Sequence, residues 1–422
     1  MNPISRREFL KGIGTIGIGI GIATFSNCIQ MKQSGIGTTS TIENISLRRA
    51  LFYDKFNSYL RCGLCPNRCV ILDESRGICG VRINKNHELY TLAYGNPCAV
   101  HVDPIEKKPL FHYFPSSRAF SIATAGCCLR CKYCQNWQIS QKRPDDIPED
   151  VIRRIISELE RYTGISSQYD NKLIPQDIVK FAKRLNCRSI AYTYTEPTIF
   201  YEYMYEISEI SKKNDIKNVI VTCGYINEDP LRELCKFLDA GNVNLKGFSD
   251  EFYKKLTNGY LQPILDTMLI LKEERKWFEI TYLIIPGWSD DDEQIGNFIN
   301  WILDNLGSDY PVHFLSGNFI NWILDNLGSD YPVHFLRFMP AYKMRNVPPT
   351  PPETLNRARD LAIENGLRYV YIGNIPGSGA ENTYCHSCGK ILIKRHGFIV
   401  LENNINNGRC RFCGKKIPGV WG

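Results

Sequence analysis

The sequence predicts an α/β fold: a partial (β/α)6-type barrel with a cysteine-rich N-terminal module and a C-terminal zinc ribbon. Three observations predict it. From Ala119 onward, short apolar runs alternate with helical stretches, the pattern of parallel strands joined by crossover helices. Of seventeen cysteines, twelve fall into three clusters with metal-ligand spacing, unlike the dispersed pairs of a secreted disulfide scaffold. The chain of 422 residues is 43% apolar and 12% aromatic, enough for one large domain with a packed core and smaller modules beside it.

The 51 basic and 44 acidic residues leave a net charge of +7 without any stripe of Lys and Arg, so no nucleic-acid partner is indicated. The N-terminus reads Ser5-Arg6-Arg7-Glu8-Phe9-Leu10-Lys11 and runs into an uncharged Gly/Ile stretch from Gly12 to Ser26. A twin-arginine pair before a short, glycine-interrupted apolar run predicts an export signal and not a membrane-spanning helix. Cys28 stands where a lipidated cysteine would stand, behind a poor lipobox. Residues 1–45 are read as this signal and a linker, 46–115 as the cysteine-rich module, 116–376 as the core domain and 377–422 as the zinc-ribbon module.

The first cluster is Cys62-x2-Cys65-x3-Cys69-x9-Cys79. Four soft ligands broken by Gly and Pro suit a tetrahedral zinc or an iron–sulfur site. A strand-like passage from Glu88 to Tyr94 leads to the charged stretch Val102-Asp103-Pro104-Ile105-Glu106-Lys107-Lys108-Pro109. Candidate core strands are Phe120 to Thr124, Ser189 to Thr193, Asn218 to Thr222, Asn242 to Lys246, Phe278 to Ile285, Val333 to Phe338 and Tyr369 to Ile372. Helices are expected at Pro175 to Leu185 and at Thr354 to Asn365, the second stopped by Gly366, and an inserted helix and polar loop between Pro144 and Lys172. In such barrels the chemistry sits at the C-terminal ends of the strands.

Directly after the first core strand comes Cys127-x3-Cys131-x2-Cys134. Iron–sulfur clusters are held by thiolates, and three thiols in this short stretch can hold a cubane while leaving its fourth iron without a protein ligand. Cys128-x2-Cys131-x2-Cys134 also matches the start of a ferredoxin run, but that run needs a fourth Cys followed by Pro, where Gln138 and Ile139 stand. The first spacing is favoured, with aromatic Tyr133 before the last thiol, and Cys128 is expected to be a loop bystander. Cys28, Cys98, Cys187, Cys223 and Cys235 remain as small buried side chains.

The segment Gly296 to Leu315 recurs unchanged from Gly317 to Leu336, a period of 21 residues. Two copies are too few for a solenoid, so the repeat is read as a recent tandem duplication, or an assembly error, of one helix–turn–strand unit. Only one copy of its strand is expected to pair in the sheet, the second, because it runs on into Arg337-Phe338-Met339-Pro340. At the C-terminus, Cys385-x2-Cys388-Gly389-Lys390 and Cys410-x2-Cys413-Gly414-Lys415 form paired knuckles whose glycines permit the tight turn, a zinc-ribbon pattern.

With these motifs in hand, the chain resembles the radical SAM superfamily, within it the pyruvate formate-lyase-activating-like enzymes, and more closely the radical SAM member of the AmmeMemoRadiSam system. The resemblance runs from about Tyr53 to Trp421. It rests on the first cluster, Val102 to Pro109, Cys134-Gln135-Asn136-Trp137, Tyr192-Thr193-Tyr194-Thr195-Glu196-Pro197 and the closing Ile417-Pro418-Gly419-Val420-Trp421. It implies that Cys127, Cys131 and Cys134 bind a [4Fe-4S] cluster whose open iron chelates S-adenosylmethionine, which is cleaved reductively to a 5′-deoxyadenosyl radical that abstracts hydrogen from a substrate. It further implies that Tyr133, Thr195, Glu196, Pro197, Asn244 and Lys246 surround the cofactor, with Glu196 paired to its amino group. Two departures stand out: Asn244 replaces the family's usual Asp, and Cys223 its usual Asn. His334 and Arg337 match the family's late-strand His and Arg, which implies a substrate contact, with a buried strand His as the other reading.

The implied partners are a low-potential electron donor, the other proteins of that system and a substrate that the activating-enzyme likeness makes a protein or peptide glycine. A second class stays open, an exported iron–sulfur or zinc protein that carries electrons or metal without turning over S-adenosylmethionine. Localisation is divided in the same way: the twin-arginine signal points to export or membrane association, the radical chemistry to the cytoplasm.

Overall fold

A computed structural model describes residues 47–306 and 330–422. The twin-arginine stretch, Cys28 and the linker lie outside the described residues. The N-terminal module consists of two small antiparallel sheets. One joins β1 (Arg48–Arg49) to β6 (Glu88–Thr91) and β5 (Arg82–Lys85); the other joins β2 (Tyr53–Phe56), β3 (Tyr59–Cys62) and β4 (Val70–Ile71).

The core is an eight-stranded sheet. Strand β7 (Ala99–Pro104) pairs antiparallel with β8 (Arg118–Ala123). From there β8, β9 (Ser189–Tyr192), β10 (Lys217–Thr222), β11 (Ala240–Leu245), β12 (Trp277–Ile284), β13 (Val333–Arg337) and β14 (Val370–Gly373) follow one another in parallel, in chain order. The sheet is open, with β7 and β14 as its edges. Its seven parallel strands exceed the expected six-stranded type by one. Helices cover the outer face, so the strands are buried on both sides and are mostly apolar; all of β9 is buried.

The helices end where their chemistry dictates. Glu149–Thr163, inside the predicted insertion, carries Glu149 and Asp150 in its first turn and buries Val151, Ile152 and Ile156. Gly164 stops it at φ 69°, a left-handed cap that favours glycine. Pro175–Arg184 and Pro352–Glu364 each begin with proline in the first turn, where a missing N–H costs nothing.

The duplicated segment divides between two elements. The described part of the first copy begins within the helix Asp292–Asn305, and the end of the second supplies β13, which pairs with β12 and β14. Residues 307–329, which include the first copy's strand sequence, lie outside the described residues.

The C-terminal module consists of β15 (Thr383–Tyr384), β16 (Ile391–His396) and β17 (Ile399–Asn403), with the hairpin β18 (Ile405–Asn406) and β19 (Arg409–Cys410). It is fastened to the end of the barrel opposite the strand C-termini. His112 bonds Pro418 O through Nδ1 and Tyr371 Oη through Nε2, each at 2.7 Å, and Arg395 Nη2 donates to Phe111 O at 2.9 Å. Beneath them Glu279 accepts from the N–H groups of Phe111 (2.9 Å) and His112 (2.7 Å) and from His334 Nε2 (2.7 Å). His334 therefore belongs to this buried network near the start of β13, far from the strand ends where a substrate contact would be. No helix among the described residues is long and apolar enough to cross a membrane.

Candidate functional site at the strand ends

Four strand ends converge. Past β8 the chain turns at Gly126, whose φ of +109° and surroundings both require glycine: an added Cβ would lie 2.6 Å from Val81 Cγ2 and 2.9 Å from Cys79 O. The thiol loop then crosses the barrel mouth. Its backbone is held by Arg130 N to Thr257 O (2.7 Å) and Lys132 N to Leu256 O (2.8 Å), and Arg130 Nη1 donates to Cys127 O at 2.7 Å. Beyond Cys134, Asn136 Nδ2 donates to Tyr194 O (2.7 Å), Gln135 Nε2 to Met339 O (2.8 Å), and Trp137 stacks on Tyr342. Tyr133 is buried with its ring 6.0 Å from Phe252.

The thiols are not equivalent. A hydrogen bond from Cys128 lowers the Cys127 pKa, whereas burial raises those of Cys131 and Cys134. Cys134 Sγ lies 3.2 Å from Ser140 Oγ. Cys128 is buried, its thiol directed to Tyr225 O at 3.9 Å, and it lines one small cavity together with Cys65 of the N-terminal module.

Glu196 follows β9 and caps a short 3-10 turn beginning at Pro197. It is fully buried, and its four partners are all neutral donors. Oε1 accepts from Thr222 Oγ1 (2.6 Å), Thr198 Oγ1 (2.9 Å) and Thr198 N (3.4 Å); Oε2 accepts from Cys223 N (2.7 Å). Desolvation outweighs these bonds, and its pKa stands above the usual carboxylate value. Thr195 Oγ1 fixes the strand end by donating to Thr124 O at 2.9 Å. Past β11, Lys246 Nζ donates to Asn244 Oδ1 (2.8 Å) and lies near enough to Cys131 and Cys134 to favour their thiolates.

Both sequence departures are absorbed. Asn244 keeps the oxygen that Lys246 needs. Cys223 serves Glu196 through its backbone N–H, which any residue but proline supplies. Sequence reasoning missed Thr198 and Thr222, whose hydroxyls set the carboxylate; one hint was their position beside Glu196 and at the end of β10. Arg337, at the end of β13, donates through Nε to Thr350 O at 2.8 Å.

At the C-terminus the knuckles close tightly. Gly389 and Gly414 have φ of 69° and 73°, Cys385 and Cys413 sulfurs lie 3.6 Å apart and Cys388 and Cys410 sulfurs 3.7 Å. All four lie within 4.8 Å of one another, the one such cysteine group among the described residues. Burial opposes ionisation of Cys410, yet the N–H groups of Cys413 and Phe412 bring its pKa down to about 7. Four thiols at this spacing could hold one metal ion.

Three thiols after the first parallel strand and a buried carboxylate after the second, in an open barrel, define the radical SAM class, and the model of the Radical SAM superfamily matches residues 121–299. The chain is 42% identical over 377 residues to the uncharacterized protein MJ0808 of Methanocaldococcus jannaschii, covering 89% of this chain and 100% of that one, and it belongs to the same family. It is also similar to the pyruvate formate-lyase-activating enzyme of Staphylococcus epidermidis, at 24% identity over 44% of this chain and 70% of that enzyme. Among solved structures, a radical SAM methyltransferase from Sphaerobacter thermophilus aligns at 13% identity with a TM-score of 0.40, over 65% of this chain and 70% of that one.

Proposed function

We propose that the chain is a hydrogen-abstracting enzyme that holds a [4Fe-4S] cluster on Cys127, Cys131 and Cys134 and binds S-adenosylmethionine beside it. The observation that carries the reading is Glu196: a buried carboxylate with four neutral donors and a raised pKa, which a ligand's ammonium group would stabilise in its charged form. Bound together, cluster and S-adenosylmethionine supply reductive cleavage of the sulfonium and hydrogen abstraction from a substrate. The protein's part is to orient and to exclude water. Thr198, Thr222 and Cys223 N fix the direction of the Glu196 carboxylate, Asn244 and Lys246 present a polar pair from the neighbouring strand, and Tyr133 with Phe252 closes the side behind the thiols.

The substrate of this reading is a protein or peptide glycine, supported by the activating-enzyme similarity, and its electron source is a low-potential donor. The collinear motifs support a place in the AmmeMemoRadiSam system, whose other proteins are the proposed partners. The Cys385, Cys388, Cys410 and Cys413 group is proposed to hold a structural zinc.

Anaerobic reconstitution followed by S-adenosylmethionine and dithionite tests the reading. Formation of 5′-deoxyadenosine is expected, with deuterium entering it from a labelled substrate. An intact cluster that yields none overturns the enzyme reading and favours an electron carrier.

A further inference from the structure

The cysteines of the N-terminal module do not form a mononuclear site. In a tetrahedral zinc site with Zn–S of about 2.3 Å, sulfurs stand roughly 3.8 Å apart. Among the described residues only the C-terminal group is gathered on that scale. Cys62, Cys65, Cys69 and Cys79 are spread instead around one small cavity, together with Cys128, Leu64 and Ile71. A cubane presents its irons at separate corners, so its thiolates stand further apart than those on a single ion.

A second, independent observation points into the same cavity. Arg82 lines it and is fully buried; its guanidinium pairs with Glu202 and donates to Leu51 O at 2.7 Å and to Cys62 Sγ at 3.5 Å. Its Nε has no hydrogen-bond partner, an orphaned cationic donor of a kind that buried sites seldom leave unused. The sulfurs of a thiolate-bound cluster are acceptors that would take up that donor. Ile78 N already donates to Cys69 Sγ at 3.4 Å, the kind of N–H to sulfur bond that tunes such clusters.

From this arrangement we infer that Cys62, Cys65, Cys69 and Cys79 hold a second iron–sulfur cluster, with Arg82 as its charge partner. Cys128 lines the same cavity and is the chain neighbour of Cys127, so it stands between the two cluster sites. The inference concerns metal content and stands whether or not S-adenosylmethionine is turned over.

The test uses the full chain, reconstituted anaerobically with ferrous iron and sulfide and assayed for iron, acid-labile sulfide and zinc. The wild-type chain is expected to hold about eight iron and eight sulfide, two cubanes. The triple variant Cys127→Ala, Cys131→Ala, Cys134→Ala is expected to keep about half of each and to show an electron paramagnetic resonance signal after dithionite. Arg82→Leu is expected to lower the potential of that remaining signal, because a neighbouring cation favours the reduced, more negative cluster. About four iron in the wild-type chain, or a second zinc without sulfide in the triple variant, overturns the inference. Should the triple variant fail to fold, the wild-type count of eight against four decides.

Discussion

Two buried carboxylates, one at each end of the barrel, have similar coordination and opposite character. Glu196 at the strand C-termini and Glu279 near the strand N-termini are both fully buried and each gathers several donors. Burial raises the pKa of Glu196 and nothing near it reverses that. Burial works against Glu279 too, but hydrogen bonding and charge from His334, with His112 behind it, hold its pKa below the usual value. The lower carboxylate has its partners inside the protein. The upper one has neutral donors only, and that contrast separates the two groups when burial and bond count do not.

Breaking the upper group should give the largest effect. Glu196→Gln is expected to weaken S-adenosylmethionine binding by about 30-fold or more, the scale of losing one partner of a buried charge pair at ~2–5 kcal/mol. Thermal stability of the ligand-free protein should hold or rise, because both threonine hydroxyls can turn to accept from the amide. Calorimetric titration and a melting curve on one sample check both halves; a large loss of Tm would erase the contrast. Glu279→Gln is the mirror experiment. Either amide orientation leaves an NH2 facing a backbone N–H of Phe111 or His112, so a loss of roughly 1–3 kcal/mol in stability is expected. Cofactor affinity of the folded protein should be unchanged.

The contrast should also appear in pH dependence. With its folded pKa depressed, Glu279 contributes stability above its ordinary value of 4.5 that is lost as pH falls through the lower folded value. His112, lowered from 6.5 to about 4 chiefly by burial, acts in the same direction: the unfolded chain takes its proton first, so stability falls between pH 6.5 and 4. Glu196 acts in the opposite direction. Its raised pKa makes the ligand-free fold lose stability as pH climbs from 4.5 through the folded value, and Glu196→Gln should remove that slope. Melting temperatures across about pH 2 to 8 for wild type and both variants resolve the three contributions.

The smallest effect is expected from deleting residues 307–327, which leaves one copy of the duplicated unit. The helix Asp292–Asn305 and β13 both survive, and with β13 the His334–Glu279 bond. Stability should be preserved or raised by no more than about 1 kcal/mol, the scale of loop-closure entropy. A large fall in Tm would mean that the extra copy supports the lower network.

What the sequence disclosed was local or periodic. Most parallel strands appear as largely apolar runs because they are buried on both faces, although β11 carries Asn242 and Asn244 and β12 carries Glu279. The knuckles of the C-terminal module are legible because ligand, turn glycine and N–H donors are neighbours in the chain. Contacts between distant residues were not legible. Cys128 was set aside on spacing, yet the fold brings Cys65 to it; His334 was matched to a family position, yet Glu279 on the adjacent strand claims it. Thr198 and Thr222 are unremarkable letters until β9 and β10 place their hydroxyls on one carboxylate.

The anchoring of the thiol loop sets an order of events during synthesis. Its backbone is hydrogen-bonded to Leu256 and Thr257, and Gly126 is seated against Cys79 and Val81. A ribosome that has just released Cys134 has made every thiol of that loop and half of its scaffold. Until the chain has reached Thr257, the loop lacks its second wall, so its geometry is complete only after β8 to β11 have been made.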